Sequence, residues 1–194
     1  RVARLSLFLL ALFVAVNGAI FVAAPRAISR LHPYQQQRIA TFLNPEADPA
    51  GAGYQVLQSK IAIGSGQALG RGYRKGTQNV LAFLPQQHTD FVYSVVGEEL
   101  GFVGGGLVIL LFATLILRSL HIARSNRWPF ASLVASGIGG LILYHTAINM
   151  AMTMGLFPVT GLPLPLLSYG GSFLLTMMAA LGLLENAAVH RYDY

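Results

Sequence analysis

The sequence has no cysteine and little charge. The absence of cysteine excludes disulfides, thiolate metal sites and cysteine nucleophiles together. Only 10% of the 194 residues are charged and 54% are hydrophobic, whereas soluble domains are about a quarter charged. Acidic residues are the scarcer sign, with seven against 13 lysines and arginines. This composition indicates a protein whose solvent is lipid.

The net charge of +6 does not indicate a nucleic-acid partner. The basic residues lie between long apolar runs and form no helix-turn-helix or basic-aromatic strand pattern. An anionic lipid or a lipid-linked phosphate is the better expected partner. The chain also begins at Arg1 without the layered pattern of a signal peptide, so we expect it to be a piece of a longer chain.

Long uncharged runs predict an all-α integral membrane protein with four transmembrane helices. A bilayer core of about 30 Å is crossed by about 20 apolar helical residues. Residues 5–24 and 100–117 are two such runs. The 57 uncharged residues of 128–184 exceed one crossing, and three prolines and two glycines within 155–165 divide them into two helices. The predicted helices cover residues 1–24, 95–118, 130–154 and 172–190.

The segments between these helices predict the topology. Residues 25–94 form a long loop, 119–129 a short loop, 155–171 a connector rich in proline and glycine, and 191–194 a tail. Basic residues of the short segments fall on one side, which predicts that this side is cytoplasmic. The long loop is then external, because loops of its length escape the charge rule even though it holds seven basic residues.

The external loop contains a predicted amphipathic helix over residues 54–63. Tyr54, Leu57 and Ile61 share one helical face, and the Gly64-Ser65-Gly66 sequence ends the helix. We expect this helix to lie on the membrane surface.

The end of the loop carries the main candidate for chemistry, Asp90. Thr89 is a predicted N-cap and Asp90 the first helical residue, where the helix dipole favours negative charge. A carboxylate at a membrane boundary serves as a general base or a divalent-cation ligand, although an isolated Thr-Asp pair more often only caps a helix. Glu98 and Glu99 lie about 12 Å or more further along a helix, too far to form a two-carboxylate site with Asp90.

The loop's basic residues predict an anionic ligand near Asp90, since seven of them share the loop with three acidic residues. Attraction to lipid headgroups explains any one of them equally well. The glycine spacing within residues 64–72 is a weak match to a phosphate-binding loop. The predicted substrate-binding cations are Lys60, Arg71, Arg74 and Lys75.

Two polar residues, His145 and Asn149, lie four positions apart inside the third predicted helix. Their spacing gives one polar stripe that faces the bundle. Hydrogen bonding between helices is the preferred interpretation, ahead of a metal ligand or a proton relay.

Long motifs resemble a known family. Asn149, residues 155–165 and the Ser168-Tyr169-Gly170-Gly171-Ser172 sequence resemble the C-terminal signature of the SEDS (shape, elongation, division, sporulation) family. Residues 84–91, followed by the Glu98-Glu99-Leu100-Gly101 sequence, resemble its external-loop motif, and Gly76-Thr77-Gln78 favours the RodA-type members. Departures are Gln86, where many relatives have Glu, and Phe173, where relatives often have Ser.

The resemblance implies a bacterial inner-membrane protein of about ten helices, of which these four are the last. It implies a peptidoglycan glycosyltransferase that polymerises lipid II, releases undecaprenyl pyrophosphate and works with a class B penicillin-binding protein. Its essential aspartate maps onto Asp90; no cofactor is implied, and a divalent cation is left open. A lipid II flippase and a non-catalytic scaffold are the alternatives. The further predicted substrate contacts are His88, Thr89, Ser168 and Tyr169.

Overall fold

The computed structural model describes residues 31–48, 51–76 and 88–190 of the chain. Every regular element in these ranges is a helix, which confirms the all-α prediction. The predicted first span, residues 77–87 and the tail 191–194 lie outside the described residues. The elements are α1 (Pro33–Leu43), a 3-10 turn (Pro45–Ala47), α2 (Ala52–Ser65), α3 (Val92–Ser125), α4 (Pro129–Thr153) and α5 (Gly171–Val189).

Contacts divide the chain into two units, residues 1–40 and 41–194. The first unit contributes most of α1, which begins at Pro33, a residue whose fixed φ and missing N–H suit a helix start. The His32 carbonyl accepts the N–H of Gln35 at 2.8 Å, and the Arg38 guanidinium lies 4.5 Å above the Tyr34 ring. All remaining elements belong to the second unit.

Three helices of the second unit are long and apolar enough to cross a membrane. They are α3 with 34 residues, α4 with 25 and α5 with 19. They overlap the predicted spans 95–118, 130–154 and 172–190. Many of their leucines are exposed, as expected for helices whose outer surface faces lipid.

Helix α3 is broken at Gly101. This residue has φ 66° and ψ −160°, a region open only to glycine. The Tyr93 hydroxyl lies 3.1 Å from where a Cβ on Gly105 would stand. A straight helix would separate these two residues by about 18 Å, so the first half-helix, residues 92–100, folds back along the second, residues 102–125. The prediction of one uninterrupted span from residue 95 is therefore wrong.

Helix α2 packs against α3 and α4 through small residues. The Ser59 hydroxyl donates to the Thr153 carbonyl at 2.6 Å and lies 2.5 Å from the Ser94 hydroxyl. The predicted helix is present, and Ile61 of its predicted membrane-surface face is 52% exposed; the face that packs inside the protein is a different one. Three helices meeting at one serine need a face of small residues, and the buried positions are Gly53, Val56, Ser59 and Ala62.

The core lies between α3, α4 and α5. One apolar cluster, at the Tyr93 end, contains Phe112, Ile142 and Leu164, and a second contains Ile122 and Leu184. At the second end the Asn126 side chain donates to the Ala187 carbonyl at 2.8 Å, which fixes the short α3–α4 loop to α5. The bundle thus holds the two segments that form the candidate site at the opposite end.

Candidate functional site

Asp90 lies in a turn, residues 88–91, that precedes α3; we call it the Asp90 turn. The helix begins at Val92 with Phe91 at the cap position, so the predicted helix start, with Thr89 as N-cap and Asp90 as the first helical residue, is two residues too early. Phe91 is fully buried against Ala62 of α2 and Val159. Apolar packing of Phe91 therefore anchors the end of the turn where α3 begins.

The connector, residues 155–170, is bonded to the Asp90 turn. Tyr169 donates its N–H to the His88 carbonyl at 2.8 Å. The Ser168 hydroxyl donates to the Thr89 carbonyl and accepts the Leu164 N–H at 2.7 Å. The Ser168 hydroxyl is therefore used to join two backbones, and the turn and connector form one unit.

Asn149, in α4, is hydrogen-bonded to the same two segments. Its side-chain amide is fully buried and donates to the Asp90 carbonyl at 2.9 Å and to the Leu162 carbonyl at 2.7 Å. Two carbonyl acceptors require the NH₂ group on that side, which fixes the amide orientation. His145, one turn earlier, has a ring nitrogen 3.4 Å from the Pro163 carbonyl. The preferred helix-to-helix bonding is thus wrong, because both partners are loop carbonyls.

The Asp90 carboxylate faces the connector. Its Oδ2 lies 3.5 Å from where a Cβ on Gly161 would stand, and Gly161 has φ +73°. The Asp90 side chain is half-buried, while His88 and Tyr169 on either side are exposed. The glycine at position 161 lets the connector backbone approach the carboxylate with no side chain of its own between them.

Lys60 of α2 lies at the end of α4. A side chain on Gly155 would overlap its Cε and stand 2.6 Å from its Nζ. Gly155, with φ +69°, ends α4, and the Leu156 N–H returns to the Ala151 carbonyl at 2.8 Å in a Schellman pattern. The Lys60 side chain therefore contacts Gly155, the first residue of the connector.

We define a backbone clasp as residues 66–72 bonded to the break at Gly101; of the predicted cations, Arg71 lies in the clasp, and Arg74 and Lys75 follow it. Breaking a helix leaves carbonyls unpaired on one side and N–H groups on the other. The clasp satisfies both: Arg71 and Gly72 donate to Glu98 and Glu99 at 3.0 Å each, and Phe102 and Val103 donate to Gln67 and Ala68 at 2.8 and 3.1 Å.

Three glycines permit the close approach within the clasp. A Cβ on Gly66 would overlap the Gly97 carbonyl, one on Gly70 the Glu99 carbonyl, and one on Gly101 the Gly70 nitrogen. Because Gly70, Arg71 and Gly72 all donate their N–H groups to backbone carbonyls, this loop has no free N–H at those positions for a phosphate. The weak phosphate-loop match is therefore wrong.

The structure thus divides the predicted site residues into groups. His88, Thr89, Asp90, Ser168 and Tyr169 meet at the turn and connector. Arg71 lies in the clasp, with Arg74 and Lys75 just after it, at the other end of the first half-helix, whose rise separates Phe91 from Glu98 by about 10 Å. In the described ranges, no group of three His, Asp or Glu side chains is arranged to hold a metal ion.

These features define a multi-pass helical membrane protein with a half-helix folded back at Gly101 and an acidic turn fixed to a proline-rich connector. The chain belongs to the FtsW/RodA/SpoVE family of cell cycle proteins, whose model it matches over residues 2–193.

Two similar curated proteins are named as peptidoglycan glycosyltransferases. The chain is 52% identical to the peptidoglycan glycosyltransferase RodA of Treponema pallidum over 80% of this chain and 36% of that protein. It is 46% identical to the peptidoglycan glycosyltransferase MrdB of Escherichia coli K12 over 83% and 44% of the two chains. The chain thus spans less than half the length of both relatives.

Two solved structures share the fold. One, described as showing structural coordination of polymerization and crosslinking by a peptidoglycan synthase complex, matches with TM-score 0.69 and 32% identity over 99% of this chain and 50% of that chain. The other, a crystal structure of the rod shape-determining protein RodA of Thermus thermophilus, matches with TM-score 0.52 and 30% identity over 72% and 50%.

Proposed function

We propose that this chain is the catalytic half of a peptidoglycan glycosyltransferase that polymerises lipid II during cell elongation. The observation that carries the proposal is the Asp90 turn, held to the connector by Asn149 and Ser168 with its carboxylate against a glycine. The names of the relatives support the reaction class.

In the proposed reaction Asp90 acts as the general base. It accepts the proton of the 4-hydroxyl of the acceptor's N-acetylglucosamine as that oxygen attacks the anomeric carbon of the donor's N-acetylmuramic acid. The bond from that carbon to the pyrophosphate oxygen breaks, and undecaprenyl pyrophosphate leaves with the electron pair. A carboxylate fixed through its own main chain is suited to this role, because proton transfer requires hydrogen-bond geometry before anything else.

Cations stabilise the charge that grows on the leaving group. Lys60 is proposed as the nearer one because it reaches the first residue of the connector. Arg71, Arg74 and Lys75 are proposed as further pyrophosphate ligands, and His88, Thr89 and Tyr169 as contacts to the sugars around Asp90. Ser168 is proposed to act mainly by hydrogen-bonding to the backbone of the site, at Thr89 and Leu164.

A divalent cation would be carried by the pyrophosphate rather than by a protein cage. The described residues contain no three-ligand group for it, and Asp90 is one carboxylate. Hard divalent ions keep several waters and bind through one or two carboxylates with substrate phosphates. We therefore expect chelator treatment to act only through the lipid-linked substrate.

The proposed setting is the bacterial inner membrane, with the Asp90 turn on the external side and the α3–α4 loop in the cytoplasm. The proposed partner is a class B penicillin-binding protein, which would crosslink the strands made here. The solved peptidoglycan synthase complex supports that pairing. No nucleic-acid partner is proposed.

The deciding experiment compares wild type with Asp90→Asn in the full-length protein with its partner, using labelled lipid II. Asn keeps the size of the side chain but cannot take the proton, so polymerisation should fall by about 10²- to 10⁴-fold. Glu46→Gln, at an exposed acid of the same predicted loop, is the matched control. Near wild-type polymer from Asp90→Asn would overturn the proposal, and loss of lipid II translocation instead would favour the flippase.

A further inference from the structure

Glu98 contacts both ends of the basic segment, which we define as residues 71–76. Its carbonyl oxygen accepts the Arg71 N–H at 3.0 Å. Its carboxylate lies against Gly76, because a Cβ added there would stand 2.6 Å from Oε2 and 2.7 Å from Cδ. The two ends of a short cationic segment are thus held by one residue.

Burial and charge distinguish this glutamate from the cations that it adjoins. The Glu98 side chain is 1% exposed, whereas Arg71, Arg74 and Lys75 are exposed. A carboxylate taken out of water is costly unless its surroundings use its charge or its hydrogen bonds. Placing it against Gly76, beside a segment that carries three cations, favours the folded segment.

Glu98 sits on a rigid support. Its neighbour Gly97 is packed so closely that a Cβ there would stand 3.0 Å from the Ile63 side chain, and a Cβ on Gly66 would overlap the Gly97 carbonyl. The half-helix and α2 are therefore locked together on one side of Glu98, and the clasp holds the other side. A side chain fixed in this way can set the position of a loop.

We infer that Glu98 is a positioning residue that holds the basic segment in the arrangement that binds a pyrophosphate. The inference rests on the proposed function. Without the carboxylate contact the Gly76 end is released while the Arg71 end keeps its backbone bond. In the variant, the cations must then be ordered when substrate binds, which costs conformational entropy. In the wild type, folding has already ordered them, so binding does not carry that cost. Ground-state binding should weaken more than the chemical step.

Trypsin reports this ordering without any reference to activity, because it cleaves after arginine and lysine. In full-length protein in nanodiscs, cleavage after Arg74 and Lys75 should be roughly five- to tenfold faster in Glu98→Gln than in wild type, since proteolysis follows local opening. Glu99→Gln is the matched control, because Glu99 is the neighbouring buried glutamate and its carbonyl oxygen, which the change keeps, accepts the Gly72 N–H. Equal acceleration in both variants would overturn the assignment to Glu98.

The kinetic arm uses lipid II and the same variants with the partner present. Glu98→Gln should raise KM roughly tenfold with kcat within about twofold of wild type, as expected when binding energy is lost uniformly. Unchanged KM and cleavage, or a fall in kcat at constant KM, would overturn the positioning role. If wild type itself makes no polymer, the proposed function fails, and the trypsin arm still decides whether Glu98 orders the segment.

A second variant covers the case in which Glu98→Gln does not fold. Gly76→Ala keeps the carboxylate and displaces it, because the new Cβ would stand 2.6 Å from Oε2. It should show the same faster cleavage and raised KM. Wild-type behaviour of Gly76→Ala would also overturn the inference.

Discussion

The side chain of Asn149 donates to the carbonyl oxygen of Asp90 at 2.9 Å although 59 positions separate the two residues. The bond crosses from the last turns of α4 to the turn before α3. It means that the proposed base is positioned through its main chain, by a residue that does not need to touch substrate. The following predictions test this arrangement and the elements around it.

Replacing Asn149 by Leu should lower both stability and polymerisation. The change removes the Asn149 donor from two part-buried carbonyls, of Asp90 and Leu162, which costs up to about 1–3 kcal/mol for each. Asn126→Leu is the control, because it removes a 2.8 Å bond to the Ala187 carbonyl at the opposite end of the bundle. Thermal unfolding in detergent should fall in both variants, but activity beyond the loss of folded protein should fall only in Asn149→Leu.

Replacing Gly101 by Ala should destabilise the protein strongly. Its φ of 66° with ψ −160° is a glycine region, where strain costs about 1–3 kcal/mol, and the new Cβ would also overlap the Gly70 nitrogen. Gly106→Ala is the matched control, since nothing lies within 4 Å of its Cβ position. That control should be neutral or stabilising by about 0.5–1 kcal/mol. Equal melting temperatures for the two variants would contradict the clasp geometry.

Changing Arg71, Arg74 or Lys75 to Gln should weaken lipid II binding more than changing Arg124 or Arg127. All five side chains are exposed, so each change costs little stability and the comparison controls for net charge. The measurement is KM for lipid II at two salt concentrations, because screening should reduce the effect of an external cation. Similar KM values for both groups would remove the reason for placing phosphate beside the basic segment.

Topology is tested by single cysteines, since the chain has none of its own. A cysteine in place of Tyr73, which is 76% exposed, should react with a membrane-impermeant maleimide from outside intact cells. One in place of the exposed Arg127 should react only after permeabilisation. Reversed labelling would put Asp90 in the cytoplasm and contradict the proposed enzyme.

Sequence reasoning located the helices of the bundle because apolar length is a local property. The spans near 130–154 and 172–190 follow from uncharged runs cut by prolines, and α4 and α5 lie there. It also named Asp90, Ser168 and Tyr169 as candidate site residues, but it predicted no contact between the turn and the connector. No local pattern predicts the hydrogen bond from Ser168 to Thr89, since it joins residues 79 positions apart.

The sequence by itself determined that this is a lipid-embedded helical protein and which residues are chemically able to act. Composition and run length fix burial in lipid, and glycine and proline fix where helices cannot continue. Only the tertiary structure decided that α3 folds back at Gly101, that Asn149 bonds to loop carbonyls and that Glu98 contacts both ends of the basic segment. A glycine in an apolar run is compatible with a straight helix or a reversal, and the outcome depends on whether a distant loop satisfies the N–H and C=O groups that the break exposes.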